Sequence, residues 1–199
     1  MQTRFGRECK RAAAVHDPTL ARMKHALVLA LLAVASAGAS AHVSLEQGKA
    51  PAGSTYKAVF RIGHGCDGSA THTVSVTVPA GFRGAKPMPK PGWTLALRKE
   101  PLARPYQSHG RSITDDVAEV TWKAATSEAW LADAHYDEFT LRGQLPDSPA
   151  PLWFKVRQLC GRGELHWADV PASGTSTRGL KAPAVLLEVT PAEAKGHSH

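Results

Sequence analysis

The chain is short of sulfur, with three cysteines and three methionines in 199 residues. Met1, Met23 and Cys9 fall in the first 41 residues, so only Met88, Cys66 and Cys160 lie beyond them. Thioether clusters are what select Cu(I), whereas imidazole and amine nitrogens suit Cu(II), Zn and Ni. A sulfur-built Cu(I) site is therefore excluded. No Cys-x-x-Cys or His-x-x-x-His spacing occurs, which removes the zinc-finger patterns. A blue-copper centre needs two histidines, a cysteine and usually an axial methionine. Cys160 and His166 have no methionine to follow them. Also missing are a nucleophile elbow, a phosphate loop and a dinucleotide fingerprint. The one long apolar run, Ala26 to Ala35, is too short to span a bilayer.

Charge of one sign is less abundant than the total suggests. The first 41 residues hold Arg4, Arg7, Lys10, Arg11, Arg22 and Lys24 against Glu8 and Asp17, a net +4, so the rest carries +3 of the chain's +7. A weak, dispersed positive charge gives no case for nucleic acid.

What is present begins with the leader. Residues 1–22 show no apolar periodicity and read as an N-terminal extension from a start assigned too early. Met23-Lys24-His25, the apolar block and Ala39-Ser40-Ala41 then form a secretory signal peptide over 23–41. Cleavage after Ala41 makes His42 the first residue of the mature chain. A terminal histidine offers an α-amine and an imidazole nitrogen that can chelate one metal ion together. Cys66 and Cys160 are an even pair in an oxidising compartment and read as a disulfide closing a long loop, the alternative being metal-binding thiols. The expected location is periplasmic or secreted.

Beyond His42 the pattern is strands and turns. His42 to Gln47 is a short extended segment. Tyr56, Ala58, Phe60 and Ile62 alternate with Lys57 and Arg61, a half-buried strand. Gly63-His64-Gly65-Cys66-Asp67-Gly68 is a loop. Further strands cover Thr73 to Val78, Trp93 to Leu97, Ala118 to Trp122 and Phe139 to Leu141. Leu152 to Cys160 and Leu165 to Trp167 flank a tight turn as a hairpin, and Ala184 to Val189 is the final strand. Pro87, Pro89 and Pro91 bar Lys86 to Gly92 from a central strand. Lys99 to Arg111 is expected to be a loop or hairpin end. Thr126 to Ala134 is the one helical turn, capped by Thr126 or Ser127. Asp115-Asp116 and Asp137-Glu138 read as solvated turn or edge charges. Eight or nine short strands with almost no helix imply an all-β, immunoglobulin/fibronectin-like antiparallel β-sandwich over 42–190. Residues 191–199 follow as a flexible tail with His197 and His199.

Ala41-His42-Val43-Ser44, Gly53-Ser54, His64-Gly65-Cys66, Pro89-Lys90-Pro91-Gly92-Trp93, Asp137-Glu138-Phe139 and Gln158-x-Cys160-x-x-Gly163-x-x-x-Trp167 occur in this order. Together they resemble the YcnI-like family of exported copper-binding domains, from His42 to Val189. The resemblance implies an immunoglobulin-like sandwich and a Cu(II) site on the mature N-terminal histidine, a monohistidine brace, with a tryptophan close to the metal. It also implies a role in copper homeostasis, with copper-handling proteins of the periplasm or membrane as partners. Carried onto this chain, His42 is the terminal ligand and Trp167 the neighbouring tryptophan, with Trp93, Trp122, Trp130 and Trp153 as alternatives. Some members place a carboxylate in the loop after the first long strand. Here that loop carries His64, so His64 and Glu46 are the two candidates for a further ligand. The expected function is a chaperone or buffer for copper without turnover. The competing expectations are a copper oxidase or monooxygenase, and an interaction sandwich without metal.

Overall fold

Alternation of apolar and polar side chains places one face of each strand inward, and here two such faces close on each other. A computed structural model describes residues 42–192. The leader, its cleavage site and His197 and His199 lie outside the described residues.

Eleven strands run in chain order: β1 (Ser44–Leu45), β2 (Lys49–Pro51), β3 (Thr55–Ile62), β4 (Thr71–Thr77), β5 (Arg83–Pro87), β6 (Trp93–Ser108), β7 (Arg111–Ala124), β8 (Asp137–Gln144), β9 (Ala150–Cys160), β10 (Glu164–Trp167) and β11 (Val185–Thr190). A four-stranded sheet has the order β1-β3-β8-β5. The larger sheet has the order β2-β11-β9-β4-β7-β6, with β10 on β9. All these pairings are antiparallel except β2 with β11, which run parallel. That exception arises because the chain leaves the small sheet after β1 and enters the large one beside its last strand.

The core is aromatic and joins the two sheets. Phe154 on β9 meets Phe60 of β3 and Phe82 edge-to-face, each at 5.3 Å between ring centroids. Phe139 of β8 packs against Trp93 at 5.0 Å and Trp122 at 5.7 Å. Such pairs add to the area they bury. Trp122 is fully enclosed, and its indole N–H donates to the Met88 carbonyl at 3.1 Å.

Three expectations change. Lys99 to Arg111 is mostly strand: β6 and β7 form one long hairpin turned at His109-Gly110. Pro101 and Pro105 are accommodated because β6 is an edge strand and its ladder slips between Pro101 and Tyr106. The helical turn is a single 3-10 turn, Ser127–Ala129, with Thr126 at its N-cap but without a side-chain cap bond. The acidic pairs are more engaged than solvated charges. Asp116 accepts from the Gly84 N–H at 2.7 Å and the Tyr106 hydroxyl at 2.8 Å. Asp137 takes the Lys90 ammonium at 2.6 Å.

Candidate metal centre

The site is assembled by two devices, a hairpin and a stapled loop. The first is the β9–β10 hairpin, turned at Gly161-Arg162-Gly163, where Gly163 has φ of 77°, a left-handed value that glycine adopts without cost. It sets Trp167 opposite Val156. Trp167 thereby becomes part of the core, 5% exposed. His42, just before β1, meets it edge-to-face with ring centroids 5.2 Å apart. His42 also borders a groove of about 350 Å³ whose other wall includes Thr177, Leu180 and Pro183.

The second device holds His64. The loop between β3 and β4 is stapled to the end of β9 by the Cys66–Cys160 disulfide, 94 residues apart in sequence. This settles the cysteine reading in favour of the disulfide. Around the staple, the Gly65 N–H donates to Asp133 at 2.9 Å, and Cys66 and Ser69 exchange backbone hydrogen bonds at 3.0 Å. A Cβ on Gly65 would stand 2.0 Å from the Ser69 carbonyl oxygen, so only glycine fits there. Held this way, the His64 ring lies edge-to-face to Trp167 at 6.4 Å. Its Nδ1 is 2.5 Å from the Gly65 carbonyl oxygen. A carbonyl can only accept, so Nδ1–H is the donor in this contact.

Trp167 thus stands between two histidines, and its Nε1–H is buried with no hydrogen-bond partner. Buried polar groups are nearly always satisfied, so an orphan calls for a reason. Of the other tryptophans, Trp122 and Trp93 belong to the Phe139 cluster, and Trp130 stacks near His72 at 5.1 Å. Trp167 is the one beside His42.

Glu46 is placed differently. It follows β1 on the same outward row as His42 and Ser44, and forms an ion pair with Arg61 at 3.5 Å. Arg61 also faces Glu138 at 3.9 Å. Among the described residues no three His, Cys, Asp or Glu side chains converge as a metal site. A brace on His42 needs fewer, because its amine and imidazole come from one residue.

Sequence reasoning quoted Gln158 in a motif but gave it no role. It is 1% exposed, and its amide donates to the His64 carbonyl and to the Thr71 hydroxyl, both at 2.7 Å. It fixes the backbone of the His64 loop. The signal was available: Leu152, Phe154, Val156, Gln158 and Cys160 share one parity on β9, so a polar residue stood in a core row.

A model of DUF1775, a domain of unknown function, matches residues 42–189. No curated protein matches the chain. An uncharacterized protein from Nocardia farcinica with an immunoglobulin-like fold is similar at 22% identity and a TM-score of 0.57, over 74% of this chain and 97% of that one. A putative membrane anchored protein from Corynebacterium diphtheriae is a distant likeness, at 10% identity and a TM-score of 0.38, over 77% of this chain and 35% of that one. The first of these likenesses agrees with the two-sheet sandwich described above.

Proposed function

The chain belongs to DUF1775, the family of YcnI-like domains, and we propose from this that it is an exported Cu(II)-binding protein of copper homeostasis, a chaperone or buffer without turnover. The observation that carries the reading is the convergence of His42 and His64 on Trp167, whose indole N–H has no partner. In this reading a signal peptide over 23–41 is removed after Ala41. The amine and imidazole of His42 then bind the ion as a monohistidine brace, and His64 supplies a further nitrogen through Nε2. Trp167 covers the ion, since an indole N–H donates and does not accept. Nitrogen donors of this kind suit Cu(II). Glu46 is the weaker candidate, because it would have to leave Arg61. The disulfide fits folding in an oxidising compartment, and among the described residues no helix is long and apolar enough to cross a membrane.

The test is Cu(II) titration, by calorimetry with electron paramagnetic resonance, of two proteins. One begins at His42 and the other carries one extra residue before it. Tight binding by the first and its loss in the second is expected. Equal binding by both would overturn the brace, and no binding by either would favour an interaction domain. His64 beside His42 also admits a copper oxidase, which oxidant-dependent turnover by the loaded protein would reveal.

A further inference from the structure

The outward face of the small sheet carries a row of like charges at the end far from His42. Lys57 on β3 is paired with Arg142 on β8, and Arg142 with Lys86 on β5. Charges of one sign placed directly opposite each other destabilise a sheet. Opposite charges are brought together nearby, where Arg61 lies between Glu46 and Glu138 and Lys90 sits on Asp137, although Glu100 of β6 also stands opposite Asp116 of β7. Among the described residues, none of the ion pairs involves Lys57, Lys86 or Arg142. An edge strand gains from lysines that discourage pairing with another chain. That accounts for Lys86 on the edge strand β5 but not for Arg142 and Lys57 on interior strands.

The row opens into a cleft of about 390 Å³, lined by Arg83, Lys86, Arg142 and Gln144 on one side and by Tyr106 and His109 on the other. The second wall is the far end of the β6–β7 hairpin. It is fastened to β5 through Asp116, which binds both the Gly84 N–H and the Tyr106 hydroxyl. Arg83 lies over the Tyr106 ring at 5.6 Å and pairs with the exposed Asp147 at 2.9 Å. The nearby carboxylates are therefore already committed. Three cations on adjacent strands span about 10 Å, which suits a ligand with more than one anionic group.

We propose that this cleft is a binding site for a phosphate-bearing anion, either a free polyphosphate-type molecule or the headgroups of an anionic lipid surface. Arg142 sits at the centre of the row and offers the planar fork that grips phosphate through two parallel hydrogen bonds. Lys86 flanks it in the cleft as a point charge, and Lys57 stands opposite it on β3, outside the lining.

The test uses the metal-free protein, the Lys86→Gln/Arg142→Gln double variant and Arg142→Lys. Each is titrated at low salt with inorganic pyrophosphate, and sedimented with phosphatidylcholine vesicles with and without phosphatidylglycerol. Wild-type protein is expected to bind at least one probe saturably. The double variant should bind at least about tenfold more weakly, given two lost charge-assisted contacts. Arg142→Lys should fall between, and relieving the repulsion should leave the double variant melting no lower than wild type. Pyrophosphate binding alone assigns a soluble ligand; binding to the anionic vesicles assigns headgroups. No binding of either probe, or binding that the double variant leaves unchanged, overturns the proposal.

Discussion

Trp167 is enclosed on every side, yet its indole N–H donates to nothing. Leaving a buried donor unsatisfied costs about 1–3 kcal/mol, so the ring is not placed there for packing alone. Its position between His42 and His64 makes it a local reporter as well as a neighbour. Bound Cu(II) at His42 should quench its fluorescence at contact range, while Trp122, enclosed in the Phe139 cluster, is held apart. Addition of Cu(II) is expected to quench the wild-type protein and to leave Trp167→Phe nearly unaffected. Equal quenching in both would move the ion elsewhere, with the His72–Trp130 pair at 5.1 Å as the next place to look. At this scale the sequence showed the hairpin that carries Trp167 and the extended segment that begins at His42, because each depends on its immediate neighbours. It was silent on the pairing of Glu46 with Arg61, which depends on how β1 lies along β3.

Among the elements, the stapled loop matters most to the site. Its bridge joins residues 94 apart, so it removes a large amount of freedom from the unfolded chain. The chain-entropy model puts the gain at about 4–5 kcal/mol for such a loop. The double variant Cys66→Ala/Cys160→Ala should unfold at a markedly lower urea concentration. It should also bind Cu(II) less tightly, because the bridge and Gln158 together hold the His64 backbone. An unchanged unfolding midpoint would show that the bridge constrains little, and unchanged copper affinity would remove His64 from the site. The strands were legible wherever alternation was clean, as in β3 and β9. The far half of the β6–β7 hairpin was not. Pro101 and Pro105 read as breakers, but an edge strand with slipped register admits both. Its turn uses His109 and Gly110 at φ of 48° and 74°, and a histidine in a left-handed position gives no composition signal of the kind Asn-Gly gives.

For the molecule as a whole, two phenols brace the places where the two sheets meet. Tyr56 is 3% exposed and donates to the Gln47 carbonyl, where the chain passes from the small sheet to the large one. Tyr106 donates to Asp116 across the long hairpin, and Asp116 in turn accepts from the Gly84 N–H of the small sheet. Burial, helped by the charge of Glu46, pushes Tyr56 from the ordinary 10 up to about 12. Burial, then the hydrogen bond and charge of Asp116, pushes Tyr106 up to about 12 as well. Below the ordinary phenol value of about 10 both states hold these protons, and the full contribution to stability is present. Between 10 and 12 the unfolded chain releases them while the folded chain keeps them, so stability falls as pH rises. The thermal midpoint should therefore decline from pH 10 toward 12, and Tyr56→Phe should make that decline shallower. A decline just as steep in the variant would show that Tyr56 plays no part in it.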